Sequence, residues 1–217
     1  TLRWQLPAGV TAGEIAWPVP KQLPVGPLMN FGYEGTVLLP VAVTVPAGFS
    51  SDAVDIQLKA DWLVCKDICI PESGEFALRV PARAATVANA AVFDRHRAAL
   101  PQTLPAASAR AEVRDGALLV RVSGLPAAWH GKSLQFFPET AGVIDNAANP
   151  TTRWQGSGWE ATVPLSPQRF ESPAQLPAVL VAADTPAGVQ LAMAVSGVWP
   201  VAGAPDTGAA GDAVPAP

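Results

Sequence analysis

Cysteine is scarce in this chain: two in 217 residues, at positions 65 and 69. Histidine and methionine also occur only twice each, and tyrosine once. The two histidines, His96 and His130, lie in different halves of the sequence. A zinc or catalytic site needs converging ligands, so each is expected to be a solvated or helix-surface residue. No stretch approaches the roughly 18 continuous apolar residues of a membrane-spanning helix. No basic cluster occurs and the formal net charge is −4, which argues against nucleic acid as a partner. No glycine-rich phosphate cradle stands out, nor any Ser/His/Asp arrangement. No fixed repeat period relates the two halves. An initiator methionine is missing too. The chain opens on Thr1 and is expected to be a processed or excised piece, in which targeting is not legible.

What is abundant points to β-structure. Hydrophobic residues make up 49% of the chain, enough for real cores, and 23 prolines and 18 glycines are set among short apolar runs. That pattern favours an all-β architecture with many turns, in one or two domains. Residues 1–30 carry Pro7, Pro18, Pro20, Pro24 and Pro27. Irregular, extended chain is expected there, with one short strand near residues 2–6. Residues 36–45 read as a central strand interrupted at Pro40. Residues 89–100 read as a short helix, with Val92, Phe93 and Leu100 along one apolar edge. The second half reads as a series of hairpins, with a two-residue turn at Asp115-Gly116 as its strongest signal. Leu134 to Phe137, Trp159 to Val163, and the alternating Val189, Leu191, Met193 and Val195 supply further strands. Six or seven short strands suggest a β-sandwich. Residues 201–217 have almost nothing to bury and are expected to form a flexible tail.

The informative stretch is Trp62-Leu63-Val64-Cys65-Lys66-Asp67-Ile68-Cys69-Ile70-Pro71-Glu72. Before it, Ile56, Leu58, Ala60 and Trp62 alternate with Asp55, Gln57, Lys59 and Asp61, the pattern of a half-buried strand. After it, Phe76, Leu78 and Val80 keep the even, apolar parity. Treating Lys66-Asp67-Ile68 as a three-residue hairpin loop sets Cys65 opposite Cys69, Leu58 opposite Phe76 and Ile56 opposite Leu78. Directly opposed strand residues have Cα atoms about 4.5–5.5 Å apart, a spacing compatible with a disulfide. Both cysteines then lie at a hairpin tip on the odd, solvent-facing parity. Trp62, on the even parity, is expected to pack beneath the hairpin. Pro71 lacks an N–H, so the ladder is expected to loosen just after Cys69.

A bridge in that place is either a structural clip or a redox centre. A very short closed loop stabilises less than a long-range clip. The predicted face is open to a partner's thiolate. Lys66 beside Cys65 favours thiolate, partly offset by Asp67.

The residues Tyr33-Glu34-Gly35, Leu39-Pro40-Val41 and the block from Ala60 to Glu72 resemble the N-terminal periplasmic domain of the DsbD family of thiol:disulfide interchange proteins. Within it they are most similar to the ScsB branch, named for suppression of copper sensitivity. The resemblance covers about the first 80 residues well and the rest more loosely. It implies an immunoglobulin-like fold. It also implies a domain that takes electrons from a thioredoxin-like domain and a membrane relay domain, and that reduces disulfides of periplasmic client proteins. The protein would be periplasmic and part of a larger inner-membrane protein. The resemblance further implies a cap loop near residues 29–34, in which Phe31 and Tyr33 cover the sulfurs and Glu34 is an acid near them. Cys69 would form the mixed disulfide and Cys65 would resolve it. The family's namesake has a longer spacing between its cysteines, so its local geometry does not transfer.

The expected architecture is therefore two immunoglobulin-like β-sandwich domains. A redox domain spans residues 1–84, a helix-containing linker 85–108, a second sandwich 109–200 and a tail 201–217. No cofactor is expected, because the cysteines carry the electrons. Two alternatives stand beside thiol–disulfide exchange. One is a Cu(I)-binding module using Cys65, Cys69 and Met29, whose soft sulfur ligands suit that ion. The other is an interaction domain with an inert bridge. Glu72 is a second acid close to the thiols in sequence.

Overall fold

The computed structural model describes residues 1–66, 68–83, 88–183 and 185–201. The chain is mostly β with one short helix, and it divides into two compact units, Thr1–Pro101 and Gln102–Pro217.

The first unit holds β1 (Leu2–Gln5), β2 (Thr11–Ile15), β3 (Lys21–Val25), β4 (Leu28–Gly32), β5 (Val41–Thr44), β6 (Ala53–Cys65), β7 (Cys69–Pro81) and α1 (Ala90–Ala98). Its main sheet has the order β1-β6-β7, and β2-β5 and β3-β4 are separate two-stranded pairs. Apolar residues of β1 and β6 (Leu2, Trp4, Ile56, Leu58), of β7 (Phe76, Leu78) and of β2 and β5 (Ile15, Val41, Val43) line one open groove of about 400 Å³. The odd face of the main sheet carries cross-strand ion pairs instead. Lys59 faces Glu75 at 3.1 Å and Asp55 faces Arg79 at 3.1 Å, while Arg3 reaches Asp61 at 2.6 Å. Exposed pairs of this kind add little stability each. A one-residue slip would put these charges on the apolar face, so they help to hold the register.

Several sequence expectations need correction here. Residues 1–30 form four strands rather than one. Val25 pairs with Leu28 around a two-residue turn, and Gly26 at its first position has φ +56°. A primed hairpin turn asks for such a residue there. Pro24 is tolerated inside β3 because that ribbon has only two strands. The strand expected over residues 36–45 shrinks to Val41–Thr44 and pairs only with β2. It is an edge rather than a central strand. The Pro40 carbonyl still accepts a hydrogen bond from the Ala16 amide at 2.9 Å. The helix is found at Ala90–Ala98, but its buried residue is His96, at 7% exposure, and not Val92 or Phe93. The solvated role expected for His96 is thus overturned. On an alanine-rich helix the imidazole is among the few side chains large enough to fill the space beneath it.

The second unit holds β8 (Gln102–Thr103), β9 (Ser108–Arg114), β10 (Ala117–Ser123), β11 (Leu134–Pro138), β12 (Thr151–Gln155), β13 (Gly158–Pro164), β14 (Gln175–Ala182) and β15 (Gly188–Gly197). They form one eight-stranded sheet in the order β11-β14-β15-β9-β10-β13-β12, with β8 beside β15. A pair of facing sheets was expected; a single sheet is observed. Leu118, Val120 and Val122 of β10, Trp159 and Val163 of β13, and Leu176, Leu180 and Met193 of the β14-β15 pair are buried. With no second sheet, such a face is covered by the sheet curling over itself. The hairpins read from the sequence are present. Asp115 and Gly116 have φ +50° and +72°, both positive as a type I′ turn requires. The parallel pairing of β15 with β8 and β9 was not legible, because hairpin signals report only antiparallel neighbours. The tail expected at 201–217 lies outside the described residues beyond Val201.

Candidate redox site

The β6–β7 hairpin carries the cysteines. Its register is continuous from Ala53↔Pro81 to Cys65↔Cys69, and it includes Leu58↔Phe76 and Ile56↔Leu78 as the parity argument required. Cys65 and Cys69 are joined by a disulfide, with Cα atoms 4.0 Å apart. Both cysteines are exposed, as are Leu63, Val64, Ile68 and Ile70 beside them. The bridge therefore sits at an open tip within an apolar collar.

Two expectations about this hairpin are overturned. Pairing does not loosen at Pro71, which faces Leu63 in register. The reason lies in strand alternation. The Asp61 amide donates to the Thr1 carbonyl at 2.9 Å, and the Thr1 ammonium donates to the Asp61 carbonyl at 2.7 Å. Asp61 thus points its peptide groups at β1 and away from β7. Leu63 and Cys65, two and four residues on, do the same, and so do the residues facing them. The missing N–H of Pro71 therefore costs no β6–β7 hydrogen bond.

Trp62 is not packed beneath the hairpin but stands 40% exposed. It lies beyond the last residue of β6 that β1 pairs, Ala60, where little covers the even face. Its ring lies across Gly74 instead. A Cβ at Gly74 would stand 3.2 Å from Trp62 Cη2 and 2.8 Å from Phe76 Cζ. Phe76 and Leu78 are likewise 54% and 61% exposed on the parity expected to be apolar and buried. The short β2-β5 pair is too small to cover a hairpin of this length.

The β3–β4 hairpin supplies the residues expected to form the cap. Asn30 reaches the bridge: its Nδ2 donates to Cys69 Sγ at 4.0 Å. Phe31 lies in register opposite Gln22, and Met29 opposite Pro24. Tyr33 is half-buried. Its hydroxyl donates to the Pro18 carbonyl at 2.9 Å, and its ring stacks on Trp17 with centroids 5.9 Å apart. Glu34 is exposed and pairs with Lys21 at 3.0 Å. Glu72 is exposed on β7. Asn30 and Trp17 were not singled out from the sequence. Asn30 is flanked by the two cap-loop candidates Met29 and Phe31, and a polar amide between them was the available signal.

His96 lies in the first unit and His130 in the second, where His130 is exposed and stands 5.4 Å from the Trp154 ring. Among the described residues no group of three or more His, Cys, Asp or Glu is arranged to hold a metal ion. No described helix is long and apolar enough to cross a membrane.

The profile of the family described as "Thiol:disulfide interchange protein DsbD, N-terminal" matches residues 1–81. No curated protein matches the chain. Among solved structures, the N-terminal periplasmic domain of ScsB from Proteus mirabilis is similar, with a TM-score of 0.64 and 16% sequence identity. That match covers 90% of this chain and 76% of the other. At such identity it speaks for a shared fold, and it extends well past the 81 residues of the family match. Residues 1–81, with the disulfide-tipped hairpin they contain, are thus similar to the DsbD N-terminal family of thiol:disulfide interchange proteins.

Proposed function

We propose that this chain is a periplasmic protein-disulfide reductase module, part of a larger inner-membrane protein. The observation that carries the reading is the exposed Cys65–Cys69 disulfide at the tip of the family-matched domain. In the resting oxidised form, a thiolate of a thioredoxin-like domain attacks Cys69 Sγ. The Cys65–Cys69 bond breaks, a mixed disulfide forms and Cys65 leaves as a thiolate that takes a proton. The partner's second thiolate then attacks its own half of the mixed disulfide and releases Cys69. Two electrons and two protons have entered this chain, and the partner has become a disulfide, to be reduced again by a membrane relay. The reduced module passes the electrons on by the same steps in reverse order to a periplasmic client. No cofactor takes part.

In this reading the first unit is immunoglobulin-like over residues 1–84. Residues 85–108 link it to residues 109–200. Phe31, Tyr33 and Glu34 belong to a cap that shifts when a partner docks. The Trp17–Tyr33 stack and the Lys21–Glu34 pair anchor its base. The test is direct. Oxidised full chain is mixed with a reduced thioredoxin-like protein, and thiols are counted by alkylation and mass. Each chain is expected to gain one dithiol as its donor loses one. A Cys65→Ala/Cys69→Ala double variant is expected to gain nothing. No transfer to the parent chain would sink the reading.

A further inference from the structure

We infer that Asn30 is a positioning residue that makes Cys69, rather than Cys65, the reactive thiolate. The inference rests on the exchange reading above and deepens it. The two sulfurs are unlike in their surroundings. Asn30 Nδ2 donates to Cys69 Sγ at 4.0 Å, and Cys65 has no such donor among the described residues. Lys66 adjoins Cys65 in sequence, so charge in the immediate sequence favours the other cysteine. The amide is held in place by the β3–β4 ladder, where Asn30 faces Leu23. The ladder in turn is tied at its base through Tyr33 to Pro18 and Trp17.

In the disulfide this contact is a weak one, since bridged sulfur is a poor acceptor. Once the pair is reduced and Cys69 has released its proton, the same N–H faces a full negative charge. Hydrogen bonds to ionised acceptors are about twice as strong as neutral ones. A donor that favours the charged form raises the thiolate fraction at a given pH. The effect falls on Cys69 alone, so it biases which sulfur attacks a client. In that attack the Cys69–client S–S bond forms, the client's own S–S bond breaks, and the client sulfur leaves as a thiolate that is then protonated.

The test measures the thiol without any partner. In the Cys65→Ala background of the full chain, alkylation of Cys69 by iodoacetamide is followed from pH 5 to pH 10. An exposed, long N–H···S contact lies at the weak end of hydrogen bonds to charge. Asn30→Ala is therefore expected to slow alkylation at pH 7 about three- to ten-fold and to move the pH–rate profile to higher pH. Asn30→Asp, nearly the same shape, replaces the donor by a carboxylate and is expected to move it further. Asn30→Gln keeps the donor and is expected to restore part of the rate. Superimposable profiles for the parent, Asn30→Ala and Asn30→Asp would overturn the inference, even if exchange with partners stands. A shifted profile in a chain that exchanges with no partner would leave the inference standing and remove the functional reading.

Discussion

Cys65→Ala is expected to trap the chain on its reducing partner as a covalent complex, and Cys69→Ala is not. In the parent, the partner's thiolate attacks Cys69 and the mixed disulfide is short-lived, because Cys65 lies across the ladder with its Cα 4.0 Å away. Removing Cys65 takes away the thiol that returns the bond to this chain. A partner whose second cysteine is replaced, and whose remaining one is activated as a mixed disulfide with thionitrobenzoate, loses thionitrobenzoate to the Cys69 thiolate and then stays attached. The complex is read on a non-reducing gel and disappears with dithiothreitol. The effect is close to all-or-none, since neither protein then holds a second thiol to resolve the complex. The reverse pattern, a complex with Cys69→Ala alone, would exchange the two roles and take the Asn30 inference with it. Leu63, Val64, Ile68 and Ile70 are exposed beside the bridge in the hairpin, and a partner that reaches the sulfurs is expected to bury part of that apolar surface.

Trp159→Ala is expected to cost the second unit about 3–5 kcal/mol, the range for emptying a large aromatic site in a core. Trp159 is 1% exposed on β13, opposite Val122 on one side and Trp154 on the other. Net stabilities are typically about 5–15 kcal/mol, so the loss is a large share. Its melting transition should fall by roughly 10–20 °C, followed by circular dichroism. Alkylation of the reduced cysteine pair, measured below that transition, should stay at the parent rate if the hairpin unit folds without the second unit. A drop in thiol reactivity of similar size would show that the redox hairpin depends on this sheet. Trp62→Ala is the instructive contrast. That ring is substantially exposed, and its loss is expected to cost much less stability than that of Trp159.

How much of this was legible beforehand depended on which physical signal each element sends. The hairpin was legible in full register, because strict alternation on both arms leaves one pairing that puts apolar opposite apolar. Its tip was legible too, since both cysteines share the polar parity. Burial was not legible. Alternation says which side of a strand is apolar, and it is silent on whether anything is there to cover it. Trp62, Phe76 and Leu78 sit on the apolar side and are all exposed. The N-terminal strands were missed because prolines dominated the reading. A proline is excluded from a central strand, yet it costs nothing where its nitrogen faces away from the ladder, as at Pro71, or in a two-stranded ribbon, as at Pro24. In the second unit local hairpins were visible. The closing contacts, β15 with β8 and β9, join residues far apart in sequence with no turn to mark them. At the site, resemblance named Phe31, Tyr33 and Glu34. Asn30 emerged only from a distance to sulfur.

The measurement that bears most directly on the central claim is the reduction potential of the Cys65–Cys69 pair, by equilibration against glutathione or dithiothreitol with the thiol state read by alkylation and mass. A pair that passes electrons between a thioredoxin-like donor and periplasmic clients is expected within the span from thioredoxin to DsbA, about −270 to −120 mV. A value well below about −300 mV is that of a structural bridge, and it would contradict the account.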